Sequence, residues 1–465
     1  MQVTTIDNYE PDPGELVIWD VDCSSSTPQP SAIAPSFNQS VHLAGSNDQT
    51  VWLAAAFTVP GRIDRAALGA AYHALINRHG TLHSAFDRTP DGITPGGITR
   101  ASHDPTQLRV IPRSVAYETG HAAMRDLLWS QLDAACRPFG FPAFLLGAID
   151  REAESTIICG FDHSHVDAYS ISIVINDLHR LYHDGPEIGA GELPMCGDFV
   201  DFCAAESTAA QVSLADPQMR EWLRFFDSHD NRLPSFPLDL GVAAGESASQ
   251  RTDVREVLDD DEAERFTTFC RRNGASPFAG VVAAMGDAVR RAGGGPQMSL
   301  LFPMHTRRAE RWRHAVGWFT TNAPLQVIST GDLIETVHRT GPALRRAVRL
   351  GEVPIPQVLA ATGGFRQERS DIFMVSYIDY RGLPGAGRHD DIGAHHISNA
   401  TTADDAQFWI SRTDRGLALR TRYPDTAVAR RTMATFLDDV TMTLRSAARR
   451  TVSPAVADDG LVAAP

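Results

Sequence analysis

Asp162-His163-Ser164-His165-Val166-Asp167-Ala168 brings two imidazoles and two carboxylates into seven residues. An imidazole changes charge near neutral pH, so a histidine here could take a proton from a substrate as a general base. The apolar run 156–161 ahead of the motif reads as a buried strand, and 169–178 after it reads as the start of a helix. His163 on such a strand-to-helix turn stands on rigid scaffold and faces an opening, which is where a base is useful.

Rival chemistries use the same residues. A histidine is often only a hydrogen-bonded core residue of intermediate burial. On an extended segment, His163-x-His165 would put both imidazoles on one face, as a metal site requires. A third ligand is not evident: Ala168 stands where a further histidine is wanted, and His395-His396 is only an adjacent pair. No metal is therefore expected. A Gly-x-Ser-x-Gly nucleophile elbow, a P-loop and a strand-linked G-x-G-x-x-G are all missing, which excludes the chemistries they serve.

The 465 residues leave room for two or more packed units at ~150 residues each. A hydrophobic share of 43% with 21% charged residues is that of a globular protein. The net charge of −15 argues against nucleic acid or an anionic membrane as main partner, since both need a basic footprint. A local basic patch at Arg307, Arg308, Arg311 and Arg313 could still meet the phosphate of a CoA thioester. The six cysteines form no C-x-x-C pair and read as reduced thiols of a cytoplasmic protein. The polar, acidic N-terminus is unlike a signal peptide, and no apolar run approaches the ~18 residues that span a bilayer.

The elements that must position the motif can be read in outline. Residues 1–50 look irregular, with a Pro/Ser-rich stretch at 24–36. A strand at 51–59 is broken by Pro60-Gly61. Asp64 then caps a helix with Ala67, Leu68, Ala71, Leu75 and Ile76 on one face. A strand at 144–149 precedes the motif strand, and the motif helix stops near Gly185-Pro186. These form an N-terminal subdomain, 1–186. A connector with helical pieces follows at 187–245, extended over 233–238; the stretch 242–252 looks exposed. The C-terminal subdomain, 246–465, is expected to hold helices at 259–273 and 276–292. Strands follow at 298–303, 323–327, 372–378, 407–412 and 417–423, then a closing helix at 427–448 and a disordered tail of about fifteen residues. Both halves mix strands and helices, so two α/β layers with a substrate cleft between them are expected.

Several segments, in order, resemble one superfamily. The motif 162–168 is similar to the H-H-x-x-x-D-G signature of nonribosomal condensation domains and polyketide-associated (Pap-type) acyltransferases. Pro60-Gly61-Arg62-Ile63-Asp64 and Arg78-His79-Gly80-Thr81-Leu82-His83 resemble the family's first helix and its R-H-x-x-L-R ending. Gly317-Trp318-Phe319-Thr320-Thr321-Asn322-Ala323-Pro324-Leu325 resembles its G-x-F-x-N-x-x-P-L segment, and Asp414-Arg415-Gly416-Leu417 to Pro424-Asp425 its penultimate strand and turn. The likeness covers about 35–448. The stretches Pro11-Asp12-Pro13-Gly14 with Trp19, Leu233–Gly241 in their prolines, and Gly317-Trp318-Phe319-Thr320 resemble the branch that acylates trehalose glycolipids. Three departures stand out. Asp162 replaces the first histidine, Ala168 replaces the last glycine, and D-F-G-W-G is not recognisable, with Asp379-Tyr380-Arg381-Gly382 near its place.

The resemblance implies an α/β (α+β) fold of two chloramphenicol-acetyltransferase-like subdomains, a V-shaped pseudo-dimer with a tunnel between them. It implies acyl transfer from an acyl-CoA or phosphopantetheinyl thioester to a small-molecule hydroxyl, with His163 as base and no cofactor beyond the thioester. Asp167 would hold the loop through Arg307, a role compatible with capping the next helix. Asp162 would be structural, while His165, Trp318 and Asn322 are expected to line the tunnel. An acyl carrier protein is a candidate partner, and a monomer is expected. Carrier-dependent amide or ester condensation and a non-catalytic binding module are the alternatives.

Overall fold

Every residue of the strand Phe144–Asp150 is buried, as is all of the strand Glu154–Asp162 beyond its first residue. Strands that bury both faces need cover on each side. In the computed structural model, which describes residues 1–45, 50–89 and 97–450, these two are central in a seven-stranded mixed sheet. Its spatial order is Gln2–Thr5, His395–Ser398, Trp52–Pro60, Glu154–Asp162, Phe144–Asp150, Glu15–Asp22 and Arg109–Tyr117. One face packs on the helices Arg65–Arg78 and Ala168–His183 through Leu68, Tyr72, Leu75, Ile171, Val174 and Leu178. The helix His121–Ala135 covers the other face with Met124, Leu128 and Leu132. Asp64 caps Arg65–Arg78 as expected, accepting from the N–H groups of Ala66 and Ala67.

The second seven-stranded sheet runs Thr320–Ile328, Gln297–His305, Met374–Asp379, Gln407–Thr413, Gly416–Pro424, Ala248–Asp259 and Thr402–Ala403. Helices Asp260–Arg272, Pro277–Arg291, Leu333–Leu350 and Ala427–Arg449 share its core. Three short helices, Pro186–Glu192, Phe199–Ser207 and Pro217–Asp227, occupy the stretch between the sheets. The mixed α/β architecture is thus as expected.

One region differs from the expected layout. The described part of 1–50 is not irregular: it holds the strands Gln2–Thr5 and Glu15–Asp22 and the helix Phe37–Gly45. The stretch 242–252 has no buried residue, as expected, and the strand Ala248–Asp259 begins within it. The short strand His395–Ser398 leaves the second half and joins the first sheet. It pairs parallel to Gln2–Thr5 and antiparallel to Trp52–Pro60. The tail 451–465 lies outside the described residues. Among the described residues no helix is long and apolar enough to cross a membrane.

Candidate active site

The motif strand carries its ladder up to the histidine. Asp162 pairs with Trp52, and the His163 N–H still donates to the Val51 carbonyl at 2.8 Å. The chain then turns, closed by the His165 N–H to the Asp162 carbonyl at 3.0 Å, and Asp167 starts the helix Ala168–His183 by accepting from the Ser170 N–H at 2.8 Å. His163 is therefore fixed on both sides by main-chain bonds.

Its ring stacks on the Trp318 indole, with centroids 4.0 Å apart and planes at 27°. Nδ1 of His163 is buried without a hydrogen-bond partner, so that nitrogen is not committed to the fold. Burial lowers the pKa of His163 from its ordinary value and the nearby His42 adds to this, against weaker opposing pulls from its own main chain and from Asp162 and Asp167. The lowering favours the neutral imidazole, the form a base needs.

His42, on the helix Phe37–Gly45, was not singled out from the sequence. Its Nε2 lies 3.1 and 3.2 Å from the two oxygens of Asp162, and its ring centroid is 6.2 Å from that of His163. Asp162 is fully buried and also accepts from the Ser164 N–H at 2.9 Å. Burial pushes this carboxyl up, but His42 and Ser164 together bring it below its usual value. The carboxylate in place of the family's first histidine thus has an imidazole partner from a distant helix.

His165 turns the other way. Its Nδ1 is 3.2 Å from the Thr81 hydroxyl, its ring lies beside Phe86, and burial pushes its pKa down to about 4. The two imidazoles do not share a face, because a turn rather than an extended segment joins them. Among the described residues no group of three His, Cys, Asp or Glu side chains is placed to hold a metal ion.

Asp167 is both helix cap and ion-pair partner. Arg307, from the loop after Gln297–His305, donates to its two oxygens at 2.6 and 3.0 Å, and the Phe319 N–H adds a third contact at 3.1 Å. The guanidinium lies over the Tyr169 and Phe319 rings, about 4.5 and 4.4 Å from their centroids. Burial pushes the Asp167 carboxyl up; Arg307 and Ser170 outweigh it and hold it below the usual range. The pair joins the motif loop of one sheet to a loop of the other. Asn322 lies on Thr320–Ile328, opposite Pro303 and partly buried.

The crossover strand adds a further histidine. The Tyr380 hydroxyl and His396 Nδ1 are 2.9 Å apart, and burial pushes His396 down to about 3, with Arg420 and His163 as further causes. His163 is among the groups that depress His396, although 395–396 read in the sequence only as an adjacent pair. Gly317 completes the enclosure: its N–H and carbonyl both meet the Ser170 hydroxyl, and an added Cβ would lie 2.4 Å from the Phe199 ring. Gly317→Ala is expected to cost about 1–3 kcal/mol, the usual range for overpacking, read as a lower urea midpoint.

Comparison with known proteins agrees with this layout. The condensation domain model matches residues 41–456. Acyltransferase PapA3 of Mycobacterium tuberculosis is 25% identical over 459 residues, covering 94% of each chain. Trehalose-2-sulfate acyltransferase PapA2 of the same organism is 24% identical, covering 94% of this chain and 95% of its own. In structure, a PapA2 acyl transferase superposes with a TM-score of 0.85 at 23% identity, covering 97% of this chain and all of its own. SgcC5 of Streptomyces globisporus superposes with a TM-score of 0.62 at 18% identity, covering 90% of this chain and 99% of its own. With two linked α/β halves, the motif at their meeting point and a family match over most of its length, this chain belongs to the condensation domain family.

Proposed function

We propose that this protein transfers an acyl group from a phosphopantetheine-type thioester, CoA or carrier-bound, to a hydroxyl of a sugar-like acceptor. The observation that carries the reading is His163, main-chain fixed and stacked on Trp318 beside the Asp167–Arg307 bridge. His163 takes the acceptor hydroxyl proton as the oxygen attacks the thioester carbonyl. The C–S bond breaks, the ester forms, and the departing thiolate takes the proton back from the imidazolium. Holding donor and acceptor in line supplies much of the rate. The sugar acceptor rests on the relative named for trehalose-2-sulfate. The unpaired cysteines fit a reducing cytoplasm.

Mass spectrometry of acyl-CoA mixtures incubated with the protein and trehalose or trehalose-2-sulfate tests this. An O-acyl sugar is the expected product, and no ester from any acyl thioester, CoA or carrier-bound, would sink the proposal. The pH profile is a second test. A base works deprotonated, and burial puts His163 below its ordinary value of ~6.5. The profile of kcat/KM should stay flat through pH 7 and lose half its height only below ~6.5; a midpoint above 7 would exclude this base.

A further inference from the structure

At the other end of the motif helix, a pocket of about 400 Å³ is lined by Asn176 and Arg180 of that helix and by Arg381, Gly385, Gly387 and Arg388 of the segment after Met374–Asp379. Three guanidinium groups at one pocket are notable in a chain of net charge −15. Arg180 pairs with exposed Glu192 at 2.9 Å, and Arg381 with Asp379 and Glu264 at 2.8 Å. Arg388 has no ion-pair partner among the described residues, and its Nη1 is buried without a hydrogen bond. A buried charged donor left unpaired is costly, and an anion in the pocket would satisfy it. The loop main chain is open as well: a Cβ at Gly382 or Gly387 would meet nothing within 4 Å. Glycine at such points lets an anion approach the backbone.

The spacing from His163 gives the anion a chemistry. At the helical rise, Asn176 and Arg180 lie about 12 and 18 Å along the axis from Ala168. The pantetheine chain from phosphorus to sulfur has about thirteen bonds, the backbone of a little over four residues, which reach roughly 15 Å when extended. We propose that this pocket binds the phosphate of phosphopantetheine, so that a donor anchored there presents its thioester at His163. The direction of the arm rests on the acyl-transfer reading; phosphate binding itself does not.

Isothermal titration of the full chain with 4′-phosphopantetheine and with pantetheine separates the two. The wild type is expected to favour the phosphorylated probe. Arg388→Gln should weaken that probe about tenfold, the size of one charge-assisted contact, and leave pantetheine unchanged. Arg388→Lys should keep part of the affinity, and Arg180→Gln should act in the same direction as Arg388→Gln. Unchanged melting temperatures would show that the variants fold. Coenzyme A binding more tightly than 4′-phosphopantetheine would identify CoA as the source of the phosphate, and equal affinities would identify a carrier-borne arm. A wild type blind to the phosphate, or an Arg388→Gln that binds the phosphorylated probe as well as wild type, overturns the pocket. If the phosphate preference and its loss in Arg388→Gln are seen but no ester forms with any donor, the pocket stands and the acyl-transfer reading falls.

Discussion

Replacing His163 by Ala should lower kcat/KM for acyl transfer by about 10²–10⁴, the usual contribution of a positioned general base. The effect should fall on kcat, because His163 is asked to act on the proton that moves in the transition state. Stability should change less: the ring leaves its stack on Trp318 and its contact with the His42 ring, and no hydrogen bond to another residue is lost at Nδ1. Steady-state kinetics beside a melting curve will separate the two effects. A variant that retains full turnover would remove His163 from the chemistry; an unfolded one would show that the stack is structural. The same experiment on His42→Ala is a useful contrast, since His42 reaches the site through Asp162 and through edge-on or tilted ring contacts with Trp318 and His163.

Arg307→Ala should cost stability most. Asp167 and Arg307 are both buried, and removing one partner leaves an uncompensated charge, typically about 3–5 kcal/mol. The loss should appear as a lower urea midpoint and as reduced turnover, because the bridge ties the motif loop to the second sheet. Asp167→Asn keeps the helix cap in part and should be milder than Asp167→Ala. The pH dependence has a definite sign. The folded carboxyl is held below its ordinary value, so the bridge contributes fully above the unfolded pKa of ~3.9. Its contribution is lost as pH falls from there through the folded value. Wild type and Arg307→Ala should therefore converge in stability in that acid range. A difference that stays constant down to pH 2 would argue against the ion pair as its cause.

The parts legible from the sequence are those where local pattern and tertiary need agree. The motif strand is a continuous apolar run, and Asp64, Ser276 and Asp259 cap helices as short-range signals predict. The Asp167–Arg307 contact lay beyond local pattern and was reached through the resemblance. Three elements escaped for physical reasons. The strand Ala248–Asp259 is polar over most of its length, so no apolar alternation marks it; pairing with Gly416–Pro424 creates it. The helix Leu333–Leu350 contains Gly341-Pro342, which reads as a stop, yet the helix runs through because its packing against the second core outweighs the lost bond. His42 sits on a short helix in a stretch that looked irregular. Its signal was indirect: a carboxylate closing a buried strand, as Asp162 does, needs a hydrogen-bonding partner, but nothing local says where in the chain that partner lies.

The crossover strand His395–Ser398 has a consequence for biosynthesis. It sits between Gln2–Thr5 and Trp52–Pro60, so the first sheet lacks one of its inner strands until nearly 400 residues have been made. A nascent chain released at the connector would show bare hydrogen-bonding edges on both flanking strands, a template for association with other chains. The two halves therefore cannot mature one after the other in the usual N-to-C order of multidomain chains. The first half must wait on the ribosome for the second, and pairing over such sequence separation is slow. A truncated version made of the first 245 residues would be an aggregation-prone fragment rather than half an enzyme.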